Sequence, residues 1–321
     1  MKKDIKLTFF GTPKFSATIL NILISQYPNI FVITQPDKPV GRKQVLTPSP
    51  VKIVAKKHKI PFFDYRNSTS IIQIIKVKKP DLTIVAAFGK ILPPEILKIP
   101  KFGCLGVHPS LLPKYRGPTP VQFAILNGEK ETGVTIFLMD EKMDHGPIVA
   151  QRQWQFPISN FQFPNKSQAQ MSPITSAALS EKLAQLGAEL LIETIPKWIE
   201  GKIKPRPQNH KKATYTKLLT KKDGFVDWKK IALATQEKVG PSPESIKIER
   251  MVRAFTPWPG VWTEIKIKNK KSKIKNKRLK ILKAHLEKSR LVLEQVQLGG
   301  KKPVSWKEFR QGLPKSALSA N

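Results

Sequence analysis

The chain has one cysteine, Cys104, in 321 residues. It can therefore form no internal disulfide and no cysteine-based zinc or iron–sulfur site of its own. Its five histidines are scattered, without the paired spacing of metal sites. Uncharged apolar runs are short, and none approaches the roughly 18–20 residues that span a bilayer. The basic start MKKDIKLTFFGTPKF is broken by Asp4, Lys6 and Lys14, unlike a secretory signal. A cytoplasmic protein without a membrane partner is the simplest expectation. Acidic residues are scarce too, 23 against 57 Lys and Arg, which leaves a net charge of +34.

That deficit is uneven. Residues 1–200 carry a net +12 and residues 201–321 a net +22. A basic excess concentrated in one segment suits a polyanion, with nucleic acid ahead of an anionic membrane, although solubility alone also uses such charge. At 40% hydrophobic and 25% charged, the chain can bury a real core, and its length suits two domains.

The first 110 residues alternate short apolar runs with helix-like stretches. LTFF (7–10), IFVIT (30–34) and LTIVAAF (82–88) read as buried parallel strands, and FSATILNILIS, VKIVAKKH and SIIQIIKVKK read as crossover helices. Such alternation predicts a doubly wound α/β fold with a mostly parallel sheet and ligands near the carboxyl ends of its strands. GVTIFLMD (133–140) and PIVAQRQWQF (147–156) follow as two strands joined by a short loop, then a helix over 177–199. The polar, proline-broken 201–222 stretch reads as an exposed basic linker. Beyond it lie a helix around 244–255, a PWPG turn and several short strands, the pattern of a small OB-like β-barrel. The predicted division is 1–200, 201–222 and 223–321. Trp258 and Trp262 are expected to pack that small domain, and the low-complexity 266–278 stretch to form an extended hairpin tip.

Chemistry concentrates in GCLGVHPSLLPKYRGPTP (103–120). His108 closes an apolar strand, where α/β folds present reactive groups, but a lone histidine there is as readily structural. Thirty-six residues on, MDEKMDHGPIV puts Asp144 in a loop able to return to the same cleft. A carboxylate can orient an imidazole and stabilise its charged form, yet spacing alone leaves that pairing open. His145 beside it reads as an exposed side chain, Asp140 as the end of a strand, and Cys104 as a small buried strand residue.

Five stretches in order resemble the formyltransferase superfamily: FGTPKFS, QPDKPVGRKQVLTPSPVK (35–52), AAFGKILP (86–93), HPSLLPKYRGPTPVQFAI (108–125) and ETGVTIFLMDEKMDHGPIVAQ (131–151). ATYTKLLTKKDGFVDW, VRAFTPWPGVWTE, LKILKA and KPVSWKEF are similar to the branch of that family acting on methionyl initiator tRNA. The resemblance runs from about residue 5 to 310. It implies a Rossmann-like catalytic domain, an OB-like tRNA-binding domain, and transfer of formyl from 10-formyltetrahydrofolate to the methionyl amine. It implies no metal, and the expected form is a monomer.

Residue by residue, the resemblance makes His108 the proton-transfer group and Asp144 the carboxylate that positions it. Phe88, Gly89 and Ile91 match a pterin-side segment, while Ser110, Leu111, Leu112 and Pro113 match the loop that shapes the folate cleft. Arg42 matches the arginine of a loop that meets the tRNA acceptor end, and Lys38 and Lys43 add phosphate-seeking charge beside it. Lys211 and Lys212, with Lys217, Lys221, Lys222 and Lys270 to Arg278, would supply phosphate attraction. One position departs from the pattern: Gly106 stands where the family's Asn-x-His motif has asparagine, an oxyanion donor. Losing one such donor reduces rate on the order of 10²–10³. Restoring asparagine at 106 is therefore expected to raise the rate at least tenfold. The alternatives are a folate- and tRNA-binding homologue with impaired catalysis, or a formyltransferase for a small amine.

Overall fold

The computed structural model describes residues 4–41, 43–156, 174–236, 242–268, 274–287 and 290–312. Arg42, the 157–173 stretch, residues 269–273 of the basic hairpin tip with Lys270, and residues 313–321 lie outside the described residues. The chain divides into two units: Met1–Pro120 with Lys130–Gln155 and Leu179–Lys217, and Val121–Glu129 with Phe156–Ala178 and Leu218–Asn321.

The larger unit begins β1 (Leu7–Gly11), α1 (Lys14–Leu23), β2 (Ile30–Thr34), β3 (Lys38–Val40), β4 (Val45–Thr47), α2 (Pro50–Lys57), β5 (Phe62–Asp64), α3 (Ser68–Lys78), β6 (Leu82–Ala86). It continues through α4 (Pro94–Leu97) and β7 (Cys104–His108). After α5 (Pro120–Leu126), which from Val121 on belongs to the smaller unit, come β8 (Glu131–Leu138), β9 (Ile148–Gln155) and α6 (Ser176–Ile199). Strands β1, β2, β6 and β7 are buried at every residue, as both-face coverage by helices demands of parallel strands. Local signals agree with the packing: Ser49 caps α2 by accepting from the Lys52 amide with Pro50 in the first turn, and Asn67 caps α3.

These strands form one seven-stranded sheet in the order β5-β2-β1-β6-β7-β8-β9. The first five are parallel, and β8 and β9 add on antiparallel. The chain winds outward from β1 to β2 and then returns to the other side of β1 with β6. The sheet therefore has its switch point between β1 and β6, and the carboxyl ends of β1, β6 and β7 open onto the place where such folds bind ligands. Gly187 lets α6 pack close, since a Cβ there would already lie 3.1 Å from Val107 and 3.3 Å from Val134.

The expectation of an exposed linker over 201–222 gives way for its first part. Residues 201–217 belong to the larger unit. Arg206 exchanges two 2.7 Å backbone hydrogen bonds with Ile148, and Arg116 donates to Thr214 O and accepts from the Thr216 amide at 2.8 Å each. Gln208 and Thr216 are buried. The prolines that read as breaks hold an extended backbone, and that backbone's polar groups pair with neighbouring strands and loops instead of water.

The smaller unit contains α7 (Trp228–Ala234), α8 (Pro243–Ala254), β10 (Val261–Lys268), β11 (Ile274–Glu287), β12 (Arg290–Leu298), β13 (Val304–Ser305) and α9 (Trp306–Gln311). Its sheet is antiparallel in the order β10-β11-β12-β13, and the basic 266–278 stretch spans the facing ends of β10 and β11, with Lys268 opposite Ile274. Ile265, Leu279, Val296 and Phe309 form its core with Trp228 and Trp306 against them. Trp258, expected in packing, is 55% exposed. Trp262 lies under the Arg278 guanidinium at 4.2 Å and donates from its indole to Lys221 O. The rigid proline turn around Trp258 leaves its ring outward, a consequence that no residue pattern signals.

The hairpin β3–β4 stands on a buried ion cluster. Lys52 Nζ lies 2.7 Å from Asp37 Oδ1 and 3.0 Å from both Asp64 oxygens. Burial alone works to lower the Lys52 pKa, but the hydrogen bonds and charges of the two carboxylates outweigh it and raise it. Lysine is thus charged throughout the neutral range and ties the start of the hairpin to β5. Lys52→Met should leave two carboxylates facing each other without their cation. Breaking a fully buried pair removes about 3–5 kcal/mol; with partly exposed carboxylates here, the expected loss is about 2 kcal/mol. Urea unfolding of the variant measures it, and an unchanged midpoint would show that the cluster is inert.

Candidate active site

At the carboxyl end of β7 the backbone presents His108, 5% exposed. Its Nε2 lies 2.8 Å from Tyr115 O, and a carbonyl only accepts, so Nε2 carries the proton. Its Nδ1 lies 3.6 Å from Asp144 Oδ2. A proton arriving at Nδ1 thus meets a carboxylate, while the ring is oriented from its other side. The same Asp144 Oδ2 accepts a 2.7 Å hydrogen bond from the Gly117 amide. Asp144 holds φ at 51° and Tyr115 at 61°, in the left-handed region that non-glycine residues rarely adopt. Two loops are therefore held out of relaxed backbone geometry where they meet the imidazole.

The loop after His108 is built from buried polar contacts. Ser110 is fully buried, and its hydroxyl donates to Lys114 O at 2.6 Å, so its side chain builds the turn. Thr135 on β8 donates to Ser110 O at 2.7 Å and accepts from the Leu112 amide at 3.0 Å. Gln151 on β9 donates to Leu112 O and to Thr135 Oγ1, both at 2.9 Å. Leu112 is buried, while Leu111 and Pro113 are half-buried. On β6's carboxyl side, Gly89 has φ 78° with open space beside it, and Ile91 is 79% exposed. Phe88 differs from a cleft-lining ring. It is buried between Phe10 and Tyr65, each edge-on at 5.1 Å, so only its backbone faces the loop. Lys38, Lys43, Lys211 and Lys212 are all exposed, on the β3–β4 hairpin and the 210–212 turn. Val40, Val45 and Leu46 on that hairpin are exposed as well.

Gly106 faces Phe137 across the β7–β8 pairing. A Cβ at 106 would lie 2.5 Å from Phe137 Cζ, and Phe137 is buried. The ring covers the glycine as aromatic residues commonly cover strand glycines. The space for a side chain at 106 is therefore filled by hydrocarbon, which leaves no room there for a substituting water. Asparagine at 106 meets this ring, so the gain in rate expected from it requires Phe137 to give way as well.

Several partners of the site were not legible in the sequence. Arg116, 1% exposed, aims its guanidinium at Gln208 Oε1, His210 Nδ1 and Tyr215 Oη, at 2.6, 2.9 and 3.3 Å. His145, expected to be exposed, is half-buried: its Nδ1 lies 2.6 Å from Asp140 Oδ2 and its ring stacks on His210 at 4.1 Å. Desolvation, then the charges of His145 and Arg116, hold the His210 pKa below its ordinary value. His210 Nδ1 can therefore stay unprotonated and accept from arginine. Arg116 lies in the SLLPKYRG stretch, a usable signal, but no motif announces Gln208 or His210. Cys104 is buried as expected, and burial pushes its thiol up to about 12. Among the described residues no cluster of His, Cys, Asp or Glu could hold a metal, and no helix is long and apolar enough to cross a membrane.

Comparison with known proteins gives the class of this chain. The formyl transferase family model matches residues 5–194, and the formyl transferase C-terminal domain matches residues 242–291. The chain belongs to the formyl transferase family. Relatives named methionyl-tRNA formyltransferase include one from Chloroflexus aurantiacus, 42% identical over 81% of this chain and 76% of its own. Another, from Roseiflexus castenholzii, is 36% identical over 97% of this chain and 96% of its own. A solved N-formyltransferase from Helicobacter canadensis, in complex with folinic acid and dTDP-3-aminofucose, superposes with a TM-score of 0.55. It is 21% identical over 88% of each chain, a likeness of fold.

Two measurements test this geometry. Gly106→Asn should lower stability by about 1–3 kcal/mol through overpacking, and by less when it is made on a Phe137→Ala background. Equal stability of the single variant and the parent would show that the ring moves aside freely. For His210, a lowered folded pKa means the unfolded chain binds more protons just below the ordinary value of about 6.5. Its contribution is present above that value and is lost as pH falls toward the folded pKa. Thermal stability should decline on acidification through this window, and His210→Gln, which keeps an acceptor for Arg116, should flatten the decline. An unchanged pH slope in the variant would assign it elsewhere.

Proposed function

We propose that this chain transfers the formyl group of 10-formyltetrahydrofolate to the amino group of methionine esterified to initiator tRNA. The observation that carries the reading is the His108–Asp144 pair, 3.6 Å apart at the carboxyl edge of the sheet in a chain of this family. Folate-bound neighbours and relatives named for methionyl-tRNA support donor and acceptor.

The amine attacks the formyl carbon, and the carbonyl oxygen takes up negative charge. The amine must lose a proton, and the folate nitrogen must gain one as its bond to carbon breaks. His108 is the group that carries protons, held from one side by Tyr115 O and from the other by Asp144. Gly89, Ile91 and the loop from Ser110 to Pro113 frame the donor. Their contribution is shape and backbone groups, because Ser110 and Phe88 commit their side chains inward. Lys38, Arg42 and Lys43 meet the acceptor end of the tRNA, and Lys211 and Lys212 add phosphate attraction that weakens with salt. With glycine at 106, charge on the oxyanion lacks the amide that the family pattern supplies there.

The test is formyl-methionine formation by the purified chain with methionyl initiator tRNA and 10-formyltetrahydrofolate. Transfer is expected, and His108→Ala should reduce it by about 10²–10⁴. Gly106→Asn alone should not raise the rate, whereas Gly106→Asn with Phe137→Ala should raise it about tenfold over Phe137→Ala alone. Formylation of a free amino sugar or another small amine, with charged tRNA left untouched, would overturn the acceptor assignment. Binding of tRNA and folate without transfer would leave a non-catalytic homologue.

A further inference from the structure

Gln208 joins the catalytic loop to Arg116 through both ends of its amide. Oε1 accepts from Arg116 Nη2 at 2.6 Å and Nε at 3.2 Å, while Nε2 donates to Asp144 O at 3.0 Å and Gly146 O at 2.7 Å. The orientation of the amide is forced, because a guanidinium only donates and a carbonyl only accepts. Arg116 is buried, and the ion pairs among the described residues do not include it. Among the described residues its guanidinium is met by Gln208, Tyr215 and His210. The residue after it, Gly117, donates its amide to the Asp144 carboxylate. Asp144 is therefore gripped twice by one short segment. The carboxylate is held by the Gly117 amide, and the main chain is held by the Arg116 side chain acting through Gln208. A residue at φ 51° needs such a restraint to persist.

We propose that Gln208, anchored by Arg116, is a positioning residue for Asp144, setting the carboxylate against His108 through its Nε2–H hydrogen bonds to the Asp144 and Gly146 carbonyls. Gln208 touches no reacting atom in this arrangement; it acts through Asp144. Arg116 has a buried cation's need for partners, and a carboxylate at 208 would satisfy it better than an amide. Glutamate, however, cannot donate to two carbonyls. The amide is the side chain that serves both neighbours at once.

The inference rests on the proposed formyl transfer, and its test separates the two. Gln208→Glu retains the acceptor for Arg116 and replaces the donor to the 144–146 loop with a carboxylate oxygen that the two carbonyls repel. Expected are a folded protein with kcat reduced at least about tenfold and KM for both substrates within about twofold. In a cycle with Asp144→Asn, the second substitution should add little to the first, since both act on one carboxylate. Transfer by Gln208→Glu within about twofold of the parent would overturn the proposal and leave Gln208 as a partner of Arg116 alone. So would losses that are fully additive with Asp144→Asn. If the glutamate variant fails to fold, Gln208→Ala is read by its cycle with Asp144→Asn: a shared loss supports the proposal and fully additive losses overturn it. If the parent itself transfers no formyl, the proposed function fails separately, and amide hydrogen exchange decides the positioning. Faster exchange at Gly117 and across 139–147 in the variant supports it, and unchanged exchange there overturns it.

Discussion

A buried guanidinium that meets no carboxylate among the described residues is the constraint on which the site depends. Arg116 follows directly from the loop that begins at His108, and its charge must be solvated by protein groups because almost none of it reaches water. The groups that do so, Gln208, His210 and Tyr215, come from the stretch just before Lys217. That stretch is consequently packed onto the larger unit, and the loop bearing Asp144 is fastened to it in turn. The solvation of one cation thereby couples the strand end with His108, the return loop with Asp144 and a segment some ninety residues downstream.

A second constraint works across the sheet. Gly106 and Phe137 pair on neighbouring strands, and the ring occupies the volume that a side chain at 106 would need. Close packing makes such positions interdependent: a residue cannot be restored at one without making room at the other. The departure at Gly106 is thus one half of a packed pair. A comparison of motifs sees only the glycine; the phenylalanine that fills the space belongs to another stretch and carries no catalytic signature.

Much of the fold was legible because its signals are local. Uninterrupted apolar runs such as LTFF and LTIVA become buried parallel strands, and Ser49-Pro50 and Asn67 begin helices where capping chemistry says they should. His108 and Asp144 were legible by position, one at a strand end and the other in a return loop, and the resemblance to formyltransferases gave them roles. Phe88 was less so: the same apolar ring serves a cleft or a core equally well, and only its neighbours Phe10 and Tyr65 decide. The 201–222 stretch misled, because prolines and lysines describe an exposed linker and an extended, hydrogen-bonded edge with the same letters.

The amino-acid sequence by itself determined the alternation of strands and helices, the concentration of positive charge beyond residue 200 and the presence of an imidazole at one strand end and a carboxylate in a return loop. Those follow from periodicity, composition and side-chain chemistry, which need no partner. Only the tertiary structure decided that Gly106 is closed off by Phe137, that His145 stacks on His210, and that Gln208 holds the loop of Asp144. Each of these is a contact between residues distant in the chain, and its existence depends on which surfaces the folded backbone brings within a few ångströms of each other.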